Sequence, residues 1–449
     1  MKIDWKNKKV LILGFSLSGK AVAHYLSEKC QQVFITEARE QKPEDEKEIK
    51  ELSELGVRIE FGGHSETFTS GVNIAIVSPS FPLDNELYIK LKNERVDIIS
   101  EPDLAYLECD TPFISITGTN GKTTTTALVS HILSTQYNAP ACGNIGQPPI
   151  SLVNDNPDYF VCEMSSYQAE HSKYLQSKIA CWTNFTPDHI TWHKTLENYF
   201  NAKAKLFEVK DIEFSILNGA DAELLKFSKS EKCNGKIYFF DKETDNSSYI
   251  KNNAIYFKCN GEEEKIIDLK DCSLVGHHNY QNIMCGVIIA KLVGITNDNL
   301  KSAIMSFKAP EHRLEKVRDY NGITFYNDSK ATNPEASIVA IDSFNNQDVV
   351  LIAGGRDKLT DLKEFCESVK NHIKTVILIG EATERFEKNL VENGFSNIIK
   401  EGSMESAIDK SIELKPDTVL LSPACASFDM FTGYEQRGKV FKDYVLSKK

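Results

Sequence analysis

The sequence predicts an α/β protein of three domains: a Rossmann-like N-terminal domain, a central P-loop-type ATPase domain on a mainly parallel sheet, and a Rossmann-like C-terminal domain. The chain has 449 residues, about three domains at roughly 150 residues each. Short apolar runs alternate with helical stretches along its length, which implies parallel sheets covered on both faces. Polar, glycine-containing loops follow several of the apolar runs, and open α/β sheets bind ligands at such strand ends. We divide the chain at residues 1–98, 99–309 and 310–449.

The elements justify this division in order. Val10–Leu13 reads as a buried strand, Gly14 to Gly19 as a turn and Lys20–Ser27 as a helix. Val33–Thr36 and Ile74–Val77 are further strands, and the mixed-charge run Glu44 to Glu54 is a solvated helix face. The pattern loosens near Arg95–Glu101. The second segment opens with the strand Phe113–Thr117, a glycine turn and a helix from Thr123 to Leu133, followed by strands Tyr159–Glu163 and Ile179–Asn184. Between Glu213 and Leu274 the chain is short-stranded and rich in Lys and Glu. HHNYQNIMCGVIIAKLVG then reads as an amphipathic helix. Strands Ile323–Asn327, Val349–Ala353, Thr375–Ile379 and Val419–Leu421 build the third segment.

Composition excludes several classes. With 52 Lys+Arg against 64 Asp+Glu, the formal charge is -12, which argues against broad nucleic-acid binding. No apolar run reaches the roughly 18 residues of a membrane span. The N-terminal VLIL runs into a glycine turn and not into a signal-peptide cleavage site. Eleven scattered cysteines without a CxxC pair indicate reduced thiols. These readings place the protein in the cytoplasm.

The strongest chemical signal is Gly118-Thr119-Asn120-Gly121-Lys122-Thr123-Thr124. A glycine-rich turn between strand and helix points backbone N–H groups at phosphate. Lys122 suits the β- and γ-phosphates, and the Thr123 hydroxyl suits Mg²⁺. Ile116 stands where the longer phosphate-loop pattern has glycine, so the loop is a shortened relative. In the N-terminal GFSLSG, Ser16 replaces the middle glycine of a dinucleotide fingerprint, and Glu37 ends the second strand, where such folds read a ribose. This turn reads equally as a structural one. Glu163 at a strand end suits Mg²⁺. Taken singly, Glu163, His189, Lys205, the His312-Arg313 pair, the Asp328–Asn333 loop and the cations after Gly354-Gly355 are each as readily ordinary loop or surface polarity.

Taken together, these residues resemble the Mur ligase family. GTNGKTTTT, GNIG, EMSSYQ, NFTPDH, the Lys205 segment, HNYQN, EHR, NDSKATNP, AGGRDK, SPACASFD and GYEQRG occur in one order over nearly the whole chain. SPACASFD and YEQRG resemble most the members that add D-glutamate. The resemblance implies an ATP-dependent amide ligase of peptidoglycan precursor synthesis. It would join D-glutamate to UDP-N-acetylmuramoyl-L-alanine through an acyl phosphate, as a monomer. It implies that Lys122, His189 and Lys205 are catalytic, and that two Mg²⁺ ions are held by Thr123, Glu163, His189 and Lys205, the last as a carbamate. Lys203 competes for that role; the Leu-Phe after Lys205 favours Lys205. The resemblance further assigns Asn279, Asn282, Arg313 and Asp328 to the adenine and ribose. Asn144 goes to the muramoyl group, and Thr332, Lys358, Ser427, Phe428 and Tyr434 to D-glutamate. Ser16, Leu17, Glu37, Arg39 and the Ser78-Pro79-Ser80 loop go to the uridine end.

Two other readings stay open. One is a different amino-acid ligase of the same superfamily, such as a diaminopimelate- or lysine-adding Mur ligase or a folylpolyglutamate synthase. The other is a nucleotide-binding protein without turnover.

Overall fold

The computed structural model describes residues 3–79, 81–274, 276–308, 311–342, 344, 348–357 and 360–448. Ser80 and Lys358, both expected at ligand sites, lie outside the described residues. The chain forms two compact bodies, one of residues 1–275 and 279–307 and one of residues 276–278 and 308–449. Among the described residues the strands form three sheets, two in the first body and one in the second.

The first sheet comprises β1 (Lys9–Leu13), β2 (Gln32–Glu37), β3 (Arg58–Phe61), β4 (Ile74–Val77) and β5 (Asp97–Ser100), in the order β3-β2-β1-β4-β5 and parallel throughout. Its centre shows why the apolar runs are continuous. Val10 and Ile12 enter one core and Leu11 and Leu13 the other, so both faces of β1 are buried. The strand β5, which runs through Ser100, spans the boundary expected at residue 98. The sequence missed β3 and β5 because RIEF and DIIS are short and carry charge.

The second sheet comprises β6 (Phe113–Thr117), β7 (Ala141–Gly143), β8 (Phe160–Glu163), β9 (Ser177–Trp182), β10 (Phe214–Asn218), β11 (Lys236–Phe240), β12 (Ser247–Lys251), β13 (Ala254–Cys259) and β14 (Glu262–Asp268). The order is β14-β13-β12-β11-β10-β9-β6-β8-β7, and only the β12–β13 and β13–β14 pairs are antiparallel. The Lys/Glu-rich stretch therefore builds one side of this sheet, from the buried β10 out to the edge strand β14. The helix His277–Val293 differs from its amphipathic reading: Ile283 through Ala290 are all buried. A Cβ on Gly286 would lie 3.2 Å from Ile132 Cδ1, so the glycine lets this helix pack closely on the helix Lys122–Leu133.

Asp103 joins the two sheets of this body. Its carboxylate accepts from Ser100 N and Oγ at 3.0 and 2.9 Å, and from Ser172 Oγ, Lys173 N, Tyr174 N and Leu175 N at 2.8–2.9 Å. Beside it, Glu101 is fully enclosed and accepts from Ile150 N at 2.8 Å. Burial, with the Asp103 charge adding to it, pushes the Glu101 carboxyl up to about 8.

The second body holds β15 (Glu315–Tyr320), β16 (Ile323–Asn327), β17 (Val349–Gly354), β18 (Thr375–Ile379), β19 (Ile398–Lys400) and β20 (Thr418–Leu421), in the order β15-β16-β20-β17-β18-β19. Only the β15–β16 pair is antiparallel. Residues of β17 alternate between two cores, as in β1. Among the described residues no helix is long and apolar enough to cross a membrane.

Candidate active site

The phosphate loop leaves the buried strand β6 and enters the helix Lys122–Leu133. Gly118 has φ 150° and Gly121 φ 81°, values that favour glycine. Space demands glycine as well, since a Cβ at 118 would lie 1.8 Å from Thr183 Oγ1. The exit of β9 braces the loop. Thr183 Oγ1 donates to Asn120 O at 2.5 Å, Asn184 Oδ1 accepts from Asn120 N at 2.8 Å, and Asn184 O accepts from Thr119 N at 3.0 Å. Lys122 Nζ folds back onto Gly118 O and Thr119 O at 2.9 and 2.8 Å. Thr123 and Thr124 are buried at the start of the helix. Thr125 Oγ1 donates to Asn282 Oδ1 at 3.0 Å, and Asn282 Nδ2 to Asn279 Oδ1 at 3.4 Å. Both asparagines expected at the nucleotide thus belong to one cluster beside the loop.

Glu163 ends β8 and is buried. Its Oε1 accepts from Asn144 Nδ2 at 2.8 Å, and its enclosed Oε2 has no hydrogen-bond partner. A carboxylate oxygen enclosed without a donor fits a cation. His189 has φ 54° and caps the short helix Ile190–His193. Its Nδ1 lies 2.9 Å from Tyr167 Oη and its Nε2 3.4 Å from Asp188 Oδ2. Sequence reasoning passed over Tyr167, Ser166 and His193. His193 Nε2 lies 2.9 Å from Ser166 Oγ, and burial, with His189, Lys203 and Lys205 nearby, lowers it to about 4. Only their position in EMSSYQ and after NFTPDH could have flagged them.

The two lysines at the end of the helix Leu196–Ala204, Lys203 within it and Lys205 just after it, separate clearly. Lys203 is 1% exposed and donates to Gly118 O at 2.7 Å, within the phosphate loop. Burial, then the charge of Lys122, holds its ammonium well below the usual range. Lys205 instead pairs with Glu170 Oε1 and Glu170 O, each at 2.8 Å. Of the two lysines weighed from the sequence, Lys203 is the one that reaches the phosphate loop, whereas Lys205 is held by Glu170.

At the first sheet, Ser16 Oγ caps the helix Leu17–Ser27 through Gly19 N at 3.2 Å and lies 2.8 Å from Ser78 Oγ. These residues flank the point between β1 and β4 where the strand order reverses. Glu37 accepts from Phe15 N at 2.8 Å and Arg39 N at 3.1 Å, so it serves the loop backbone here. Leu17 is exposed. Arg39 is forked onto Asp45 at 2.6 and 2.9 Å, and this pairing lowers the Asp45 carboxyl to about 2.

In the second body Asp328 follows β16. It accepts from Ser422 Oγ at 2.8 Å and Leu314 N at 3.1 Å, and burial pushes it up to about 7. Arg313 is next to Leu314, and its enclosed Nε has no hydrogen-bond partner. Sequence reasoning missed Arg437, the buried organiser of these loops. Its guanidinium donates to Ser329 Oγ and O at 2.9 and 2.7 Å and to Cys425 O at 3.0 Å. Ser427 is buried after β20, whereas Phe428 is 61% exposed. Tyr434 opens the last helix and accepts from Ser329 Oγ through its backbone at 2.8 Å. Thr332 lies in the loop between β16 and the helix Pro334–Ile341.

The Mur ligase middle domain family matches residues 116–290, and the family described as Mur ligase, glutamate ligase domain, matches residues 312–425. The UDP-N-acetylmuramoylalanine--D-glutamate ligase of Thermoanaerobacter sp. (strain X514) is 36% identical over 99% of both chains. The chain belongs to the Mur ligase family. A second relative of that name, from Clostridioides difficile (strain 630), is 36% identical over 100% of both chains. Among solved structures, the UDP-N-acetylmuramate–alanine ligase of Thermotoga maritima matches with a TM-score of 0.61 at 19% identity, over 99% of this chain and 100% of that one. That likeness is one of fold. It agrees with the α/β architecture of mainly parallel sheets expected of a Mur ligase.

Proposed function

We propose that this Mur ligase joins D-glutamate to UDP-N-acetylmuramoyl-L-alanine, with ATP hydrolysed to ADP and phosphate. The observation that carries the proposal is that Lys122 and the buried Lys203 both donate to the Gly118 carbonyl of one phosphate loop, while the enclosed Glu163 ends the strand beside β6, which leads into that loop. The end-to-end likeness to two D-glutamate ligases supports the substrate pair.

In this reading the L-alanyl carboxylate attacks the γ-phosphorus of ATP and ADP leaves. The amine of D-glutamate then attacks the acyl carbon, loses a proton, and phosphate leaves. Positioning and charge neutralisation carry most of such a phosphoryl transfer. The loop N–H groups orient the phosphates, and Lys122 exchanges its carbonyl partners for phosphate oxygens. Thr123, Glu163 and His189, with Lys203 as its carbamate, would hold Mg²⁺. Bound there, Mg²⁺ would neutralise charge between the carboxylate and the phosphoryl group. A lysine whose ammonium form is disfavoured is suited to react with CO₂, which supports Lys203 over Lys205.

The remaining roles belong to the same proposal. The first sheet would take the UDP end through Ser16, Leu17, Glu37, Arg39 and Ser78, and Asn144 would meet the muramoyl group. Asn279, Asn282, Arg313 and Asp328 would frame adenine and ribose. Thr332, Lys358, Ser427, Phe428 and Tyr434 would hold D-glutamate. We assign these roles to three functional domains of a cytoplasmic monomer, the first ending after Ser100. The test is phosphate release from ATP with UDP-N-acetylmuramoyl-L-alanine and a panel of D- and L-amino acids. Strong preference for D-glutamate is expected; comparable turnover with L-lysine or diaminopimelate would move the chain to another branch of the family.

A further inference from the structure

Tyr167 has no part in the reaction described above, yet it is hydrogen-bonded to a side chain that does. The turn after β8 sets its place. Ser165 Oγ accepts from Gln168 N at 3.2 Å, and Gln168 Oε1 accepts from Ser165 N at 3.0 Å, a reciprocal cap on the helix Ser166–His171. Glu163 at the strand end and Tyr167 in the helix are thereby carried on one braced segment. The Tyr167 ring packs against three others. It lies 4.9 Å from the His189 ring, 4.8 Å from Trp192 in an edge-on contact, and stacks on His193 at 5.7 Å. Its hydroxyl lies 2.9 Å from His189 Nδ1.

His189 needs such a hold. Its φ of 54° puts a non-glycine residue in the left-handed region, a conformation that persists where surrounding contacts enforce it and that recurs at ligand sites. The two ring nitrogens face different groups: Nδ1 meets Tyr167, whereas Nε2 lies 3.4 Å from Asp188 Oδ2. Asp188 and Glu163 lie close enough to the buried Lys203 for both charges to act on it, so Nε2 is the nitrogen on the side of the other proposed metal ligands. A neutral imidazole has one N–H and one lone pair. With Nδ1–H donated to the phenolic oxygen, Nε2 keeps its lone pair, as a metal ligand must. Histidine ligands are oriented in this way by the partner of the other nitrogen.

We propose that Tyr167 is a positioning residue whose hydroxyl fixes the ring and the tautomer of His189 so that Nε2 binds a divalent cation, an inference that rests on the ligase reading above. The test titrates the full chain with Mn²⁺ alone and follows the free ion by electron paramagnetic resonance, without turnover. Tyr167→Phe removes the hydroxyl and keeps a ring among His189, Trp192 and His193. Its Kd for Mn²⁺ is expected to rise on the order of tenfold. His189→Ala should weaken binding at least as much. The double variant should bind no more weakly than His189→Ala alone, because Tyr167 acts through the imidazole. In phosphate release, the Mg²⁺ concentration giving half the maximal rate should rise by the same factor in Tyr167→Phe, and excess Mg²⁺ should restore the rate. A merely structural loss would not respond to metal.

Unchanged Mn²⁺ affinity in Tyr167→Phe, or a further loss when that substitution is added to His189→Ala, overturns the inference and leaves the ligase reading standing. Unchanged affinity in His189→Ala takes His189 out of the metal site and overturns the inference with it. A wild type that binds Mn²⁺ but releases no phosphate removes the ligase reading, and the Mn²⁺ comparison still decides the role of Tyr167.

Discussion

Lys203 donates to the Gly118 carbonyl across 2.7 Å and, together with the 3.1 Å hydrogen bond between Tyr199 Oη and Thr119 Oγ1, ties the helix Leu196–Ala204 to the phosphate loop. The variant Lys203→Ala is therefore expected to lose turnover on the order of a hundredfold or more. Added formate or acetate should restore part of it by standing in for the carbamate. Lys205→Ala removes a partly exposed ion pair with Glu170, and its rate should stay within about a few-fold of the wild type. The reverse pattern in a phosphate-release assay would return the role to Lys205.

Lys122 Nζ donates to two backbone carbonyls of its own loop. Lys122→Ala should lower the rate on the order of a hundredfold or more while changing stability by no more than about 1 kcal/mol. A purified variant with near-normal turnover would refute its place at the transferred phosphate.

Glu101 links stability to pH. Its folded pKa, about 8, lies above the ordinary carboxyl value of 4.5, so the folded state binds the proton more tightly. Its contribution is fully present below about pH 4.5 and is lost as pH rises through about 8. Glu101→Gln keeps the acceptor for Ile150 N without the ionisation. Urea titrations should show the variant gaining on the wild type from pH 5 to 9, by a few kcal/mol at the upper end. Parallel stability curves for the two proteins would contradict the buried acid.

Asp103→Ala would strip the acceptor from six hydrogen bonds that the carboxylate takes from residues 100 and 172–175. With several backbone N–H groups left enclosed, a loss of at least about 3 kcal/mol is expected. Asp103→Asn, which keeps one acceptor oxygen, should lose less. Chemical denaturation of both variants measures the difference.

Much of the fold was legible because buried parallel strands write themselves as unbroken apolar runs. KVLIL, FISIT and VVLIAG stand out from their surroundings, and the glycine turns after the first two mark strand ends. RIEF and DIIS were not legible, since four residues with a charge look like loop. The phosphate loop was readable from residue types and spacing alone. The choice between Lys203 and Lys205 was not: both lie in the same helical segment, and only packing against Gly118 separates them. Glu37 was flagged by its place at the end of β2 and Arg39 by the family resemblance, but nothing in the string shows that they are engaged by Phe15 N and Asp45. Arg437 was hidden for the same reason, since an arginine in a helix reads as solvated until its buried partners are known.

The Asp103 clamp bears on modularity. The residue lies just beyond the first sheet in sequence, yet its carboxylate fastens the turn at 172–175 between the helix Ser166–His171 and β9. The first hundred residues are thus no detachable cassette. A chain severed at residue 98 would tear β5 from its neighbour and orphan the clamp on the other fragment, so neither piece is expected to be soluble by itself. Chimeras that exchange this region among family members would have to carry the strand, the aspartate and the turn together as one inherited block.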